Sequence, residues 1–187
     1  MSELILTASR KNLERGRAVA TGIGLFVAMG NEEKKVLLRR RLEKDSLLGA
    51  DLSGKWEMVG GGVEISHFKE EEPVSANQRQ QYQKAIWYCL SQELREEAGL
   101  MLKAPLPKPL LLQPAWILNE KNGIIDLAFV LSLPYKRQYV EETDEFRKKE
   151  ERGEIRFFSV EELSSIEIVS PRMRFLLYTA IDHYPYD

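Results

Sequence analysis

The chain of 187 residues carries 27 lysines and arginines against 29 aspartates and glutamates, a formal charge of -2. This gives no general electrostatic pull toward DNA, RNA or an anionic membrane, so any polyanion partner is a small or a local one. At 43% hydrophobic and 30% charged residues it is too apolar for a disordered chain, and its length suits one domain over residues 1–187.

The first residues, MSELILTASRKNLERGR, lack the apolar core and cleavage pattern of a secretory signal. From Ala18 the run AVATGIGLFVAM is apolar and rich in small and β-branched residues, and KKVLLRRR follows across Gly30-Asn31, so a hairpin is expected. In a strand, alternation sends neighbours to opposite faces, so only part of the trio Arg39, Arg40 and Arg41 shares a direction. GKWEMVGGGVE, from Gly54 to Glu64, reads as a short strand that ends in a glycine-rich special loop. Ser75 to Gly99 reads as one long helix, or two broken near Ala85, with Ser75 and Gln78 as a capping box and Gly99 as the stop.

Four prolines, Pro105, Pro107, Pro109 and Pro114, exclude a helix in the next segment and favour a connector or edge strand. PAWIL and IIDLAFVLSL flank Asn119 to Gly123 as a second hairpin, with Ile125, Leu127, Phe129, Leu131 and Leu133 alternating. Glu141 to Arg152 is a solvated loop or exposed helix, EIRFFSV a strand, and the last segment a turn and a closing helix. A single cysteine, Cys89, excludes an intramolecular disulfide and suits burial as a small apolar side chain. No run is long enough to span a membrane, and the cytoplasm is the expected location. The element pattern is that of a mixed α/β (α+β) sandwich.

The most informative segment is QELREEAGL, residues 92–100. On a helix, residues three and four apart share a face, so Glu93, Glu96 and Glu97 are expected to converge. Close carboxylates repel unless a cation lies between them, and oxygen ligands suit Mg2+ or Mn2+. Trp87, Leu94 and Ala98 form a flank able to anchor the helix to a sheet, and Ile86 and Leu90 extend the glutamate stripe under cover of other protein. A charged helix face by itself is most often just solvated. Trp56 and Phe158 suit either base stacking or a core. Glu70, Glu71 and Glu72 read as solvent-exposed, and His67 and His183 have no ligand pattern around them.

These residues resemble the Nudix hydrolase motif, G-x5-E-x7-R-E-U-x-E-E-x-G-U with U aliphatic. Glu93-Leu94-Arg95-Glu96-Glu97-Ala98-Gly99-Leu100 matches its second half, and KWEMVGGGVE, with Gly60, Gly61 and Glu64, is similar to what precedes it. EIRFFSVEEL looks like a later strand and turn of the family, so the resemblance runs from about Ala18 to Leu163. Two departures stand out. The motif arginine is Gln92, and an insertion at about 65–84 separates the halves. The mid-motif glutamate is likewise missing: counting forward from Gly61 reaches His67, counting back from Gln92 reaches Lys84. The missing glutamate and arginine pair with each other in the family, so their joint loss is coherent.

The resemblance implies a Nudix-type α/β/α sandwich with a mixed sheet and Mg2+-dependent (or Mn2+-dependent) hydrolysis of a nucleoside diphosphate linked to another group. It implies metal ligands at Glu93, Glu96, Glu97 and the Gly61 carbonyl, and catalysis through the same three glutamates. Substrate contacts are expected from Arg39, Arg41, Glu64 and Trp56, and the general base from the helix or from Glu142, Glu145 or Glu151 in a late loop. The expected partner is a small nucleoside diphosphate derivative, with no stable nucleic acid, no membrane, and a homodimer compatible with it. The alternative is a Nudix-fold module that binds a nucleotide without hydrolysing it.

Overall fold

The computed structural model describes residues 20–29, 34–42, 51–67, 78–103, 110–111, 116–119, 124–126 and 128–182. The Gly30-Asn31 turn, Glu70 to Glu72, Ser75, the four prolines, Leu127, most of the 119–123 turn and His183 lie outside them.

The first hairpin forms as expected, from β1 (Ala20–Met29) and β2 (Lys34–Arg40). The two strands pair only through Val27 to Met29 and then diverge. The fork between them is filled by β3 (Trp56–Glu57), which pairs with the end of β2, and β4 (Val59–Val63), which pairs antiparallel with the start of β1. The three glycines therefore lie inside a strand, opposite Ile23, Gly22 and Thr21, and not in the expected loop. Their ladder bonds to β1 offset the backbone entropy that glycine loses in a strand.

The chain continues through α1 (Gln78–Glu93), unbroken at Ala85, into a π-helical turn, Leu94–Ala98. Gly99 ends it in the left-handed region, φ 68 and ψ 28, with its N–H bonded back to the carbonyls of Leu94 and Arg95. This is the role glycine is suited to. Next come β5 (Leu100–Leu102), β6 (Leu110–Leu111), β7 (Trp116–Asn119), β8 (Ile124–Asp126) and β9 (Ala128–Pro134). β7 and β8 form the expected second hairpin, but β9 leaves it and runs parallel to β1 in the main sheet, with β6 as its other neighbour and an edge of that sheet.

β10 (Val140–Glu142) pairs with β5, and the exposed charged segment is a short helix, α2 (Asp144–Glu151), that buries Phe146. β11 (Ile155–Ser159) joins β2, a turn over Glu162–Ser164 follows, and α3 (Pro171–Asp182) closes the described chain. Among the described residues the main sheet is mixed and seven-stranded, ordered β11-β2-β1-β9-β6, with β3 on β2 and β4 on β1.

Alternation along the strands builds two cores. Leu37, Val59, Val63 and Ile155 face α1 and meet Ala85, Ile86, Cys89, Leu90, Leu94 and Ala98. Val36, Leu38, Met58 and Phe158 face α3 and meet Leu176, Leu177, Ala180 and Ile181. Both layers are fully apolar at their centres, which makes the molecule an α/β/α sandwich. Ile86 and Leu90 are covered as expected, and Leu94 and Ala98 anchor the end of the helix, with Trp87 packed partly against the same core. Among the described residues no helix is long and apolar enough to cross a membrane.

Candidate active site

The end of α1 lies across β4, and the strand's glycines make this approach sterically possible. A Cβ on Gly61 would overlap the Glu93 carboxylate. A side chain at position 61 would displace the Glu93 carboxylate, so the glycine serves a close approach and not a turn. The main-chain N–H of Gly60 bonds to Glu97, one helical turn further on.

The expected convergence of three glutamates is only partly realised. Glu93 and Glu97 point inward and are half-buried, while Glu96 is exposed. The π turn explains this, because its i→i+5 bonding widens the helix and stacks Glu97 over Glu93 while Glu96 swings outward. Among the described residues no three acidic, histidine or cysteine side chains are drawn into a group able to hold a metal ion. Arg39 instead supplies positive charge: its Nη2 donates to Glu97 Oε1 at 2.6 Å and to Glu57 Oε1 at 2.7 Å. Arg41 Nε donates to the same Glu57 oxygen at 3.0 Å.

Arg39 and Arg41 thus share one face, as alternation requires, whereas Arg40 is exposed and bonds the carbonyl of Gly54. Glu57 is a member of the cluster that the motif did not name. It is 6% exposed, and the signal for it was period-two counting back from Gly61 through Val59.

The electrostatics of the cluster are those of a site short of positive charge. Glu97 is pushed up to about 7, by burial first, with Glu93 and Glu57 adding repulsion and Arg39 and the Gly60 N–H pulling the other way. Glu93 is also raised, by burial first, with Glu96 and Glu64 adding to it against Arg39 and His67. Glu97 Oε2 is buried without a hydrogen-bond partner. Glu97 Oε2, orphaned beside Glu93 and against a strand stripped of side chains, is an oxygen donor of the kind a hard divalent cation takes. Cys89 lies beneath the cluster, its thiol within 3.5 Å of the Gly62 carbonyl. Burial and then the charges of Glu93, Glu64 and Glu97 push it up to about 12, so it is an apolar filler and not a nucleophile.

Other expected residues are placed elsewhere. Trp56 faces the α3 core, edge-to-face with Phe158 at 4.6 Å between centroids, because it is one residue from Glu57 and so on the opposite side of the strand. It packs on the face of the sheet away from Arg39 and Glu57. Glu64 is exposed just past β4. Of the late-loop carboxylates, Glu142 accepts from Tyr135 at 2.8 Å, Glu145 pairs with Arg152 at 3.1 Å, and Glu151 is exposed. None of the three is among the principal charges acting on Glu93 or Glu97. The loop is nonetheless tied to the helix: Thr143 caps α2 and donates to the Gly99 carbonyl at 2.7 Å.

No family sequence profile matches this chain, and no curated protein matches it by sequence. Solved structures do. The Nudix domain of Shewanella oneidensis NrtR, complexed with ADP ribose, is 12% identical and superposes with a TM-score of 0.54 over 99% of this chain and 100% of that one. The Nudix hydrolase RenU from M. smegmatis is 13% identical, with a TM-score of 0.51 over 88% of each chain. The chain has the Nudix fold, as its α/β/α layers and mixed sheet implied.

Proposed function

We propose that this protein is a divalent-metal-dependent pyrophosphohydrolase acting on a nucleoside diphosphate linked to another group. The observation that carries the reading is the pair of raised carboxylates, Glu93 and Glu97, held against the bare backbone of Gly60 and Gly61, with Glu97 Oε2 unpartnered. Glu93 and Glu97, with the Gly61 carbonyl, would hold Mg2+ or Mn2+, and Glu96 would join them only by turning in from the exposed side of the helix. A bound ion of this kind supplies charge neutralisation of the pyrophosphate and acidifies an attacking water.

The protein's own residues do the rest. Glu57 holds Arg39 and Arg41 on the helix side of the sheet, where their guanidinium groups are suited to orienting phosphate oxygens. The apolar packing of Ile86, Leu90 and Leu94 keeps the helix end rigid beneath these groups.

ADP ribose, found with the similar NrtR domain, is itself a nucleoside diphosphate linked to a sugar and heads the substrate panel. Incubation with such compounds and Mg2+, with products identified by mass, should show cleavage between the two phosphorus atoms. Absence of any cleavage would leave the second reading, a nucleotide-binding module. The Arg39 ion pair on Glu97 favours that reading, because it occupies one oxygen of a carboxylate that a metal would need.

A further inference from the structure

The chain leaves β4 at Glu64 and makes one tight turn, Ile65–His67, in which the His67 N–H bonds the Glu64 carbonyl at 3.1 Å. The imidazole folds back over this turn. Its Nδ1 accepts the main-chain N–H of Glu64 at 2.8 Å, and its Nε2 lies 3.1 Å from Oε1 of Gln92. A main-chain N–H only donates, so Nδ1 must carry the lone pair and the ring proton sits on Nε2. That proton then points at the Gln92 oxygen. Tyr88, one helical turn before Gln92, flanks the ring at 5.8 Å between centroids.

Gln92 immediately precedes Glu93, and Glu93 occupies the space where residue 61 would carry its Cβ. The position of that carboxylate therefore depends on how closely α1 approaches β4 at this end. Gln92 stands in place of the motif arginine, and His67 is where the motif glutamate falls on counting forward from Gly61; the two meet. We infer that His67 is a positioning residue: through its Nε2–H bond to Gln92 and its Nδ1 bond to Glu64 it clasps the end of β4 to the last turn of α1, and so sets Glu93 against Gly61.

The clasp stands on these contacts alone. Its consequence for turnover rests on the hydrolase reading. The test uses the full chain and Mn2+ alone as the probe, followed by turnover of whichever compound the substrate panel identifies. In the wild-type protein, nitrogen-15 NMR of the imidazole should report the Nε2–H tautomer. His67→Ala and Gln92→Ala should each weaken Mn2+ binding about 10-fold or more and lower kcat about 10- to 100-fold, the range for residues that orient metal ligands, with KM little changed. Their effects should not add, because either one removes the same contact.

The double variant His67→Glu with Gln92→Arg should recover most of the lost binding, since a carboxylate has two oxygens to accept from both the Glu64 N–H and the new guanidinium. An Nδ1–H tautomer, or additive effects of the two alanine variants on Mn2+ affinity, would overturn the clasp. If the wild-type protein binds no Mn2+ and cleaves nothing, the hydrolase reading fails by itself. The tautomer and the coupling of His67→Ala with Gln92→Ala in thermal unfolding then decide the clasp separately.

Discussion

The two faces of the central sheet are made by the same strands and do opposite things. Toward α3, Val36, Leu38, Met58 and Phe158 meet a helix face of leucine, alanine and isoleucine, and Trp56 completes the layer. Toward α1 the same strands begin in the same way, with Leu37 and Val59 in an apolar core. Two residues further along, that face turns into Arg39 and Glu57, and beyond them lie Glu93 and Glu97. One face is optimised for burial alone. The other keeps buried carboxylates at a cost that apolar residues would avoid, and such groups are retained where function needs them.

The comparison is open to attack from both sides, and the largest effect is expected on the polar one. Glu97→Gln keeps the shape of the side chain and the fold and should reduce Mg2+-dependent turnover by about 10²-fold or more, the loss typical of removing a group that stabilises transition-state charge. Turnover close to wild type would return Glu97 to the status of a structural residue. On the apolar face, Leu176→Ala removes a fully buried side chain and should cost about 2–5 kcal/mol of stability. Denaturant unfolding measures this, and the surviving folded molecules should turn over substrate at the wild-type rate.

Glu57→Gln tests the border between the two behaviours. It withdraws the carboxylate that Arg39 and Arg41 share and should lower stability by about 1–3 kcal/mol, as expected when a buried donor loses its acceptor. A calorimetric scan that shows no change would mean that Arg39 is satisfied by Glu97 alone.

A smaller effect separates the faces by pH. Because Glu97 sits near 7 in the fold and at its ordinary 4.5 when unfolded, the folded state binds the extra proton between those values. Its contribution is therefore fully present below about 4.5 and is lost as pH rises through about 7. Melting temperatures between pH 5 and pH 8 should fall more steeply for the wild-type protein than for Glu97→Gln, and Mn2+ at pH 8 should reverse the fall. Equal slopes in the two proteins would contradict the raised Glu97. The smallest effect concerns Cys89, whose buried thiol should resist iodoacetamide at pH 8 until denaturant is added. Rapid labelling of the native protein would show that the α1 and β4 interface opens.

Much of this was legible in the residues. The Gly99 stop, the β1 and β2 hairpin, the strand at EIRFFSV and the closing helix each rest on local rules of periodicity and punctuation, and each is found in the fold. The burial of Ile86 and Leu90 followed from helical spacing, and that of Cys89 from its small apolar side chain. Three glycines in sequence signal a loop, whereas here they lie in a strand and the central one, Gly61, leaves room for the Glu93 side chain of α1. Trp56 was assigned to the substrate for want of a facing direction, which the register of β3 on β2 supplies.

What the sequence by itself determined was the inventory: a helix with acidic residues near its end, a run of glycines before it, and apolar alternation sufficient for a two-sided sandwich. These are short-range properties, set by backbone sterics and by the spacing of side chains within one element. The tertiary structure alone decided which of those residues meet. It turned Glu96 outward through a π turn, joined Arg39 to Glu97 and Glu57, and brought His67 to Gln92 across 25 positions. Such pairings depend on how two elements cross, and no local pattern encodes that distance.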